Sequence, residues 1–167
     1  LDQIEVSDYS ASDLGEMVQE ISSGATQALG NIKIDGISSD NLSSMMEKVT
    51  AGATGALGQI SMEGYSSSNL TTMLSKITSG ATSALGDIEM EGYSSNNLSL
   101  MVEKITAGAT SALDEIQLEG FSSDNLSSMV QEITSGATGA LDDIEMAGFD
   151  PSTDVFSMTE KVILGST

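Results

Sequence analysis

Apolar residues recur by threes and fours along most of the chain. Between positions 65 and 92 the series is Leu70, Met73, Leu74, Ile77, Ala81, Ala84, Leu85 and Ile88. At about 100° per residue these fall within a stripe about 120° wide, which predicts an amphipathic helix. The Ser66-Ser67-Ser68-Asn69 cluster marks its start, because these side-chain oxygens can accept from the free amides of a helix N-terminus. Gly86 marks its end, although Asp114 and Asp142 hold the same place later, where an acidic residue opposes the helix dipole. Beyond it, Ile88-Glu89-Met90-Glu91 alternates apolar with charged, the period of a half-buried strand, and Gly92 permits the turn that follows.

The same pattern returns along the whole chain, in units that start at Tyr9, Ile37, Tyr65, Tyr93, Phe121 and Phe149. Five units match closely. The sixth carries Pro151 and one extra residue, so that Val155, Met158 and Val162 stand one place late relative to Leu126, Met129 and Ile133. A helix of about 18 residues rises about 27 Å and about ten extended residues span about 30 Å, so one helix and one strand would return the chain to its starting level. The fold expected is therefore a single α/β array over residues 1–167, a right-handed solenoid of helix-strand repeats with a parallel sheet. An αα solenoid, with each helix broken at Gly80 and its equivalents, is the alternative; one interior Gly costs only about 1 kcal/mol and does not by itself break a helix. A continuous coiled coil is excluded, since every unit interrupts the seam with Ser and Gly. The small residues around Gly80 suit closely packed helices.

Composition narrows the function. Lys and Arg total 5 against 25 Asp and Glu, a net charge of −20, which repels nucleic acid and anionic membranes. No apolar run is long enough to span a bilayer. His and Cys are both absent, removing the usual general bases, activated nucleophiles and zinc ligands together, and the Ser-x-x-Lys spacing does not occur. An enzyme is not expected.

Stacked strands would align Asp35, Glu63, Glu91 and Glu119 in one row of carboxylates. Adjacent members would repel by about 1 kcal/mol even at the dielectric of water, so the row is either screened by salt or a weak ladder for a hard divalent cation such as Ca²⁺. The Met17, Met45, Met73, Met101 and Met129 column reads as core. Asn41, Asn69, Asn97 and Asn125 read as capping residues rather than as a ladder between coils.

The first unit is preceded by a strand, Ile4 to Val6, that lacks its helix, and the last supplies a helical segment, Val155 to Leu164, that lacks its strand. Copies placed head to tail would complete each other through Ile4, Val6, Val155, Val162 and Leu164. The reading is an extracellular or cell-surface structural protein of prokaryotic type, a filament or stalk subunit that polymerises with itself. The alternative is an acidic adhesion scaffold that recognises a cationic or carbohydrate partner through its sheet face.

Overall fold

The computed structural model describes residues 9–31, 38–59, 65–88, 94–116, 122–144 and 151–167. Among these, six helices follow one another: α1 (Ala11–Gly30), α2 (Ser39–Leu57), α3 (Ser67–Ser83), α4 (Ser95–Ser111), α5 (Ser123–Gly139) and α6 (Pro151–Gly165). Each unit thus contributes one uninterrupted helix, and Gly80 lies inside α3 without breaking it.

The serine clusters start the helices as their chemistry requires. Ser66, in extended backbone, accepts from the Asn69 amide, while the Asn69 side chain accepts from the Ser66 amide at 2.8 Å. Ser94 with Asn97 and Ser122 with Asn125 repeat this reciprocal box. In α1 Asp13 replaces the Asn, and the Ser10 hydroxyl and amide that donate to its carboxylate hold its pKa below the ordinary aspartate value. The C-termini tighten into 3-10 turns, Ala84–Asp87, Ala112–Glu115 and Leu141–Asp143, which satisfy free carbonyls with shorter-range bonds. Each turn closes on an isoleucine in extended backbone, as where the Ile88 amide donates to the Leu85 carbonyl at 3.3 Å.

The expected helix-strand coil is corrected here: no strand or sheet occurs among the described residues, and the array is all helical. Ile88, Ile116 and Ile144, taken as first residues of strands, are buried, but each seals the end of its own helix against neighbouring helices. Met90 and the carboxylates Asp35, Glu63, Glu91 and Glu119 lie outside the described residues, as do Ile4 and Val6. The αα alternative is nearer, with one difference: a coil takes two units, because the following helix, not a strand, brings the chain back.

Helices pack chiefly on the helix two units away, α1 on α3 and α3 on α5 in one row, α2 on α4 and α4 on α6 in the other. Within a row the helices run parallel, shown by contacts that advance together: Tyr65 Oη donates to the Tyr9 carbonyl at 2.8 Å near one end, and Gln27 Nε2 donates to Asp87 at 2.6 Å near the other. The rows are antiparallel. The α3 end, Ala81, Leu85 and Ile88, packs with the α4 residues Leu98, Met101 and Ile105, while the α4 end, Ala109, Leu113 and Ile116, packs with Leu70, Met73 and Ile77 of α3. Fully burying each such Leu, Ile or Met side chain stabilises by about 1.5–3 kcal/mol, so the inter-row seam carries much of the fold.

Candidate assembly faces

Within each row a helix has two working flanks. One carries the interior glycine and packs back onto the preceding helix of the row. A Cβ added at Gly80 would lie 2.5 Å from the Gln19 carbonyl oxygen of α1. Gly108 meets the Glu47 carbonyl, Gly136 that of Ser75, and Gly165 that of Glu103, still more closely. The helices are therefore in backbone contact, and glycine is required by space rather than by dihedral angle. Expectations from the small residues were right about close approach; the partner is two units away rather than adjacent.

The other flank receives that glycine. It carries Gln19, Glu47, Ser75 and Glu103, together with the hydroxyls Ser22, Thr50, Thr78 and Thr106, all four of them buried. Thr78 Oγ1 donates within its own helix and reaches the Ile133 carbonyl of α5 at 3.2 Å. In the even row an ion pair crosses each joint: Lys104 Nζ to Glu47 Oε2 at 3.1 Å and Lys161 Nζ to Glu103 Oε2 at 2.8 Å. The hydrogen bond and charge of Glu103 hold the Lys161 pKa above its ordinary value.

At the two ends of the rows no other described helix covers these flanks. Gly24 of α1 and Gly52 of α2 would place a Cβ with nothing within 4 Å. Ile21 is 48% exposed where its counterpart Ile77 is 0% exposed, and Met17, Met45 and Val49 are only half-buried. Val18, Ile21, Val49, Gly52 and Ala53 line an open groove of about 320 Å³ between α1 and α2. At the opposite end Leu126 of α5 is 40% exposed although Leu14, Leu42, Leu70 and Leu98 are buried, and on α6 Phe156 is 77% and Ile163 53% exposed.

The residues expected at a joint divide accordingly. Leu164 is exposed and Val155 half-buried against the core between the rows, but Val162 is fully buried inside that core, so it belongs to the fold and not to an outer face. Met73, Met101 and Met129 are core as expected, whereas Met17 and Met45 sit on the open flank. No group of His, Cys, Asp or Glu able to hold a metal ion occurs among the described residues, and no described helix is long and apolar enough to cross a membrane.

The sequence does hold a signal for the two rows. Met17-Val18-Gln19-Glu20 returns as Met129-Val130-Gln131-Glu132 in the odd row, where α3 departs from it with Met73-Leu74-Ser75-Lys76, while the even row reads Met45-Met46-Glu47-Lys48, Met101-Val102-Glu103-Lys104 and Met158-Thr159-Glu160-Lys161. Ser23, Ser79 and Ser135 likewise alternate with Ala51 and Ala107. The packing period is two units, and the residues at the joints alternate with it. No protein-family model matches this chain, and no curated protein sequence matches it significantly.

Proposed function

We propose that this chain is a structural subunit that stacks end to end into a filament or stalk, at the cell surface or outside the cell. The observation that carries this reading is the uncovered glycine flank of α1 and α2. It carries Ile21, Gly24 and Gly52 in the places of Ile77, Gly80 and Gly108, which are buried where the preceding helix of the row covers them. Met17, Ile21 and Val49 stand on this flank, half-buried or exposed. The flanks at the two ends differ, so a contact between them is heterologous and continues into an open fibre rather than closing in a ring of two. The lack of His and Cys agrees with a structural role. The alternative adhesion scaffold called for a sheet face, which the described residues do not form.

Electron microscopy and sedimentation velocity of the purified chain over a wide concentration range test the reading. Concentration-dependent rods of variable length are expected. A sedimentation coefficient that stays monomeric at every concentration would remove the proposal.

A further inference from the structure

Resting on that reading, we infer the register of the joint: α1 of a second copy seats on α5 and its α2 seats on α6, with Lys48 of that copy paired to Glu160 and its Gly52 over the Glu160 carbonyl. The four joints inside the chain supply the template. In the even row the glycine of each later helix lies over the carbonyl of the residue that also provides the acidic partner, Gly108 over Glu47 and Gly165 over Glu103. The lysine of the later helix then bonds that same residue's side chain, Lys104 to Glu47 and Lys161 to Glu103. Glu160 is the next acidic member on α6, and Lys48 is the corresponding lysine on α2. Both are exposed, and neither has an ion-pair partner on another helix among the described residues.

Two further features fit this register. In the odd row Gly24 would lie over the Gln131 carbonyl, as Gly80 lies over Gln19. Across the even joint, apolar surface meets apolar surface. Phe156 stands where Ser99 is covered in α4, and Gly15, its odd-row equivalent, has the Lys76 stem 3.7 Å from the position of an added Cβ, so the stem of Lys48 would lie across the Phe156 ring. Ile163 would face Val49 and the groove between α1 and α2. The occupant proposed is a second copy of this chain, because its α1 and α2 carry the glycines Gly24 and Gly52 and the lysine Lys48 that such a joint uses.

Reversing one charge at a time tests the register, because both side chains are exposed and the fold does not depend on them; circular dichroism confirms folding of each variant. Lys48→Glu alone and Glu160→Lys alone should each weaken assembly about tenfold in low salt, since an attraction becomes a repulsion. Mixed in equal amounts, the two variants should assemble as well as wild type into an alternating copolymer, because each joint again pairs Glu with Lys. The double variant should likewise recover by itself. If wild type assembles but neither the mixture nor the double variant recovers, the register is wrong while end-to-end stacking stands. If wild type stops at a dimer, two glycine flanks have met face to face and the register falls with the filament. If wild type never assembles, both readings fall together.

Discussion

Glycine-to-alanine exchange at equivalent positions should change sign along the array. Alanine is favoured over glycine by about 1 kcal/mol in a helix interior, and that gain is the same at every position of the series. What differs is the space. At Gly24 and Gly52 an added Cβ meets nothing within 4 Å, so each exchange should stabilise the dilute monomer by about 0.5–1 kcal/mol. At Gly80 the Cβ would lie 2.5 Å from the Gln19 carbonyl oxygen and 3.0 Å from the Gln19 Cγ, where ordinary contact begins at 3.4 Å. The obstacle is helix backbone, which cannot rotate aside, so α3 has to move from α1 by roughly 1 Å, a displacement that forfeits a quarter to a half of each contact along the flank. Overpacking of this kind costs about 1–3 kcal/mol, sometimes more, so after the gain of about 1 kcal/mol from alanine Gly80→Ala, Gly108→Ala and Gly136→Ala should be net destabilising by up to about 2 kcal/mol.

The assay is thermal and urea denaturation followed by circular dichroism, at concentrations where sedimentation shows only monomer. In a domain of this size 1 kcal/mol corresponds to about 2–4 °C in midpoint. Gly24→Ala and Gly52→Ala should therefore raise the midpoint and the three interior variants lower it. The same two stabilising exchanges should block end-to-end stacking, because they place a methyl group where the next carbonyl has to sit. Equal destabilisation at Gly24 and Gly80 would refute the reasoning, since it would mean that the α1 flank is as crowded as the α3 flank.

Thr78→Val should destabilise by about 1 kcal/mol through loss of the bond to the Ile133 carbonyl, whereas Thr82→Val should be neutral or stabilising, because the buried Thr82 hydroxyl has no hydrogen-bond partner among the described residues; urea melts of the pair read the difference. Acid should loosen the α1 N-terminus selectively. Asp13 has a lowered pKa, so its contribution is present above the ordinary aspartate value and is lost as pH falls through the lowered one, while Asn69, Asn97 and Asn125 in the equivalent boxes do not titrate. Hydrogen exchange of the Asp13 and Leu14 amides below that range should rise relative to Asn69 and Leu70, and Asp13→Asn should abolish the difference. With a net charge of −20, added NaCl should raise the melting midpoint by screening self-repulsion. A further rise with millimolar Ca²⁺ at matched ionic strength would show specific cation binding beyond screening.

Local chemistry made much of the fold legible. The apolar stripe from Leu70 to Ile88 located the helix and its buried side, the Ser and Asn clusters located its start, and Gly80 announced a close approach. The error lay in assuming that each unit closes its own coil. Lengths of about 18 helical and ten extended residues do return to level, but so does a second helix running back, and the segment after Ile88 then has only to cross between rows. Nothing within one unit distinguishes these routes, because a short alternation such as Ile88-Glu89-Met90-Glu91 has the same pattern in a strand as in a connection anchored by one buried isoleucine. For the same reason Val162 reads as a joint residue in the sequence: its apolar character is that of a core position, and only the placement of α4 beside it shows that the core is internal.

The distinction was carried by differences between units rather than by what they share. Residues 47 and 48 are consecutive on a helix, so they point about 100° apart, and Glu47 lies on the flank that receives the next helix while Lys48 lies on the flank that seats on the previous one. A row built from Glu-Lys helices thus has a direction: each acid faces forward and each lysine backward. The observed pairs Glu47 to Lys104 and Glu103 to Lys161 follow that polarity without exception among the described even-row joints. In the odd row the forward positions are Gln19, Ser75 and Gln131, none of them charged. Slipping α5 into the even row would set Glu47 or Glu103 before Glu132, and like charges at a joint are costly, whereas α3, with Lys76 at that place, would still offer a cation. The forward acids therefore discriminate against α5 in the even row by charge, and α3 has to be held in the odd row by packing, through Gly80 on Gln19 and the Lys76 stem on Gly15.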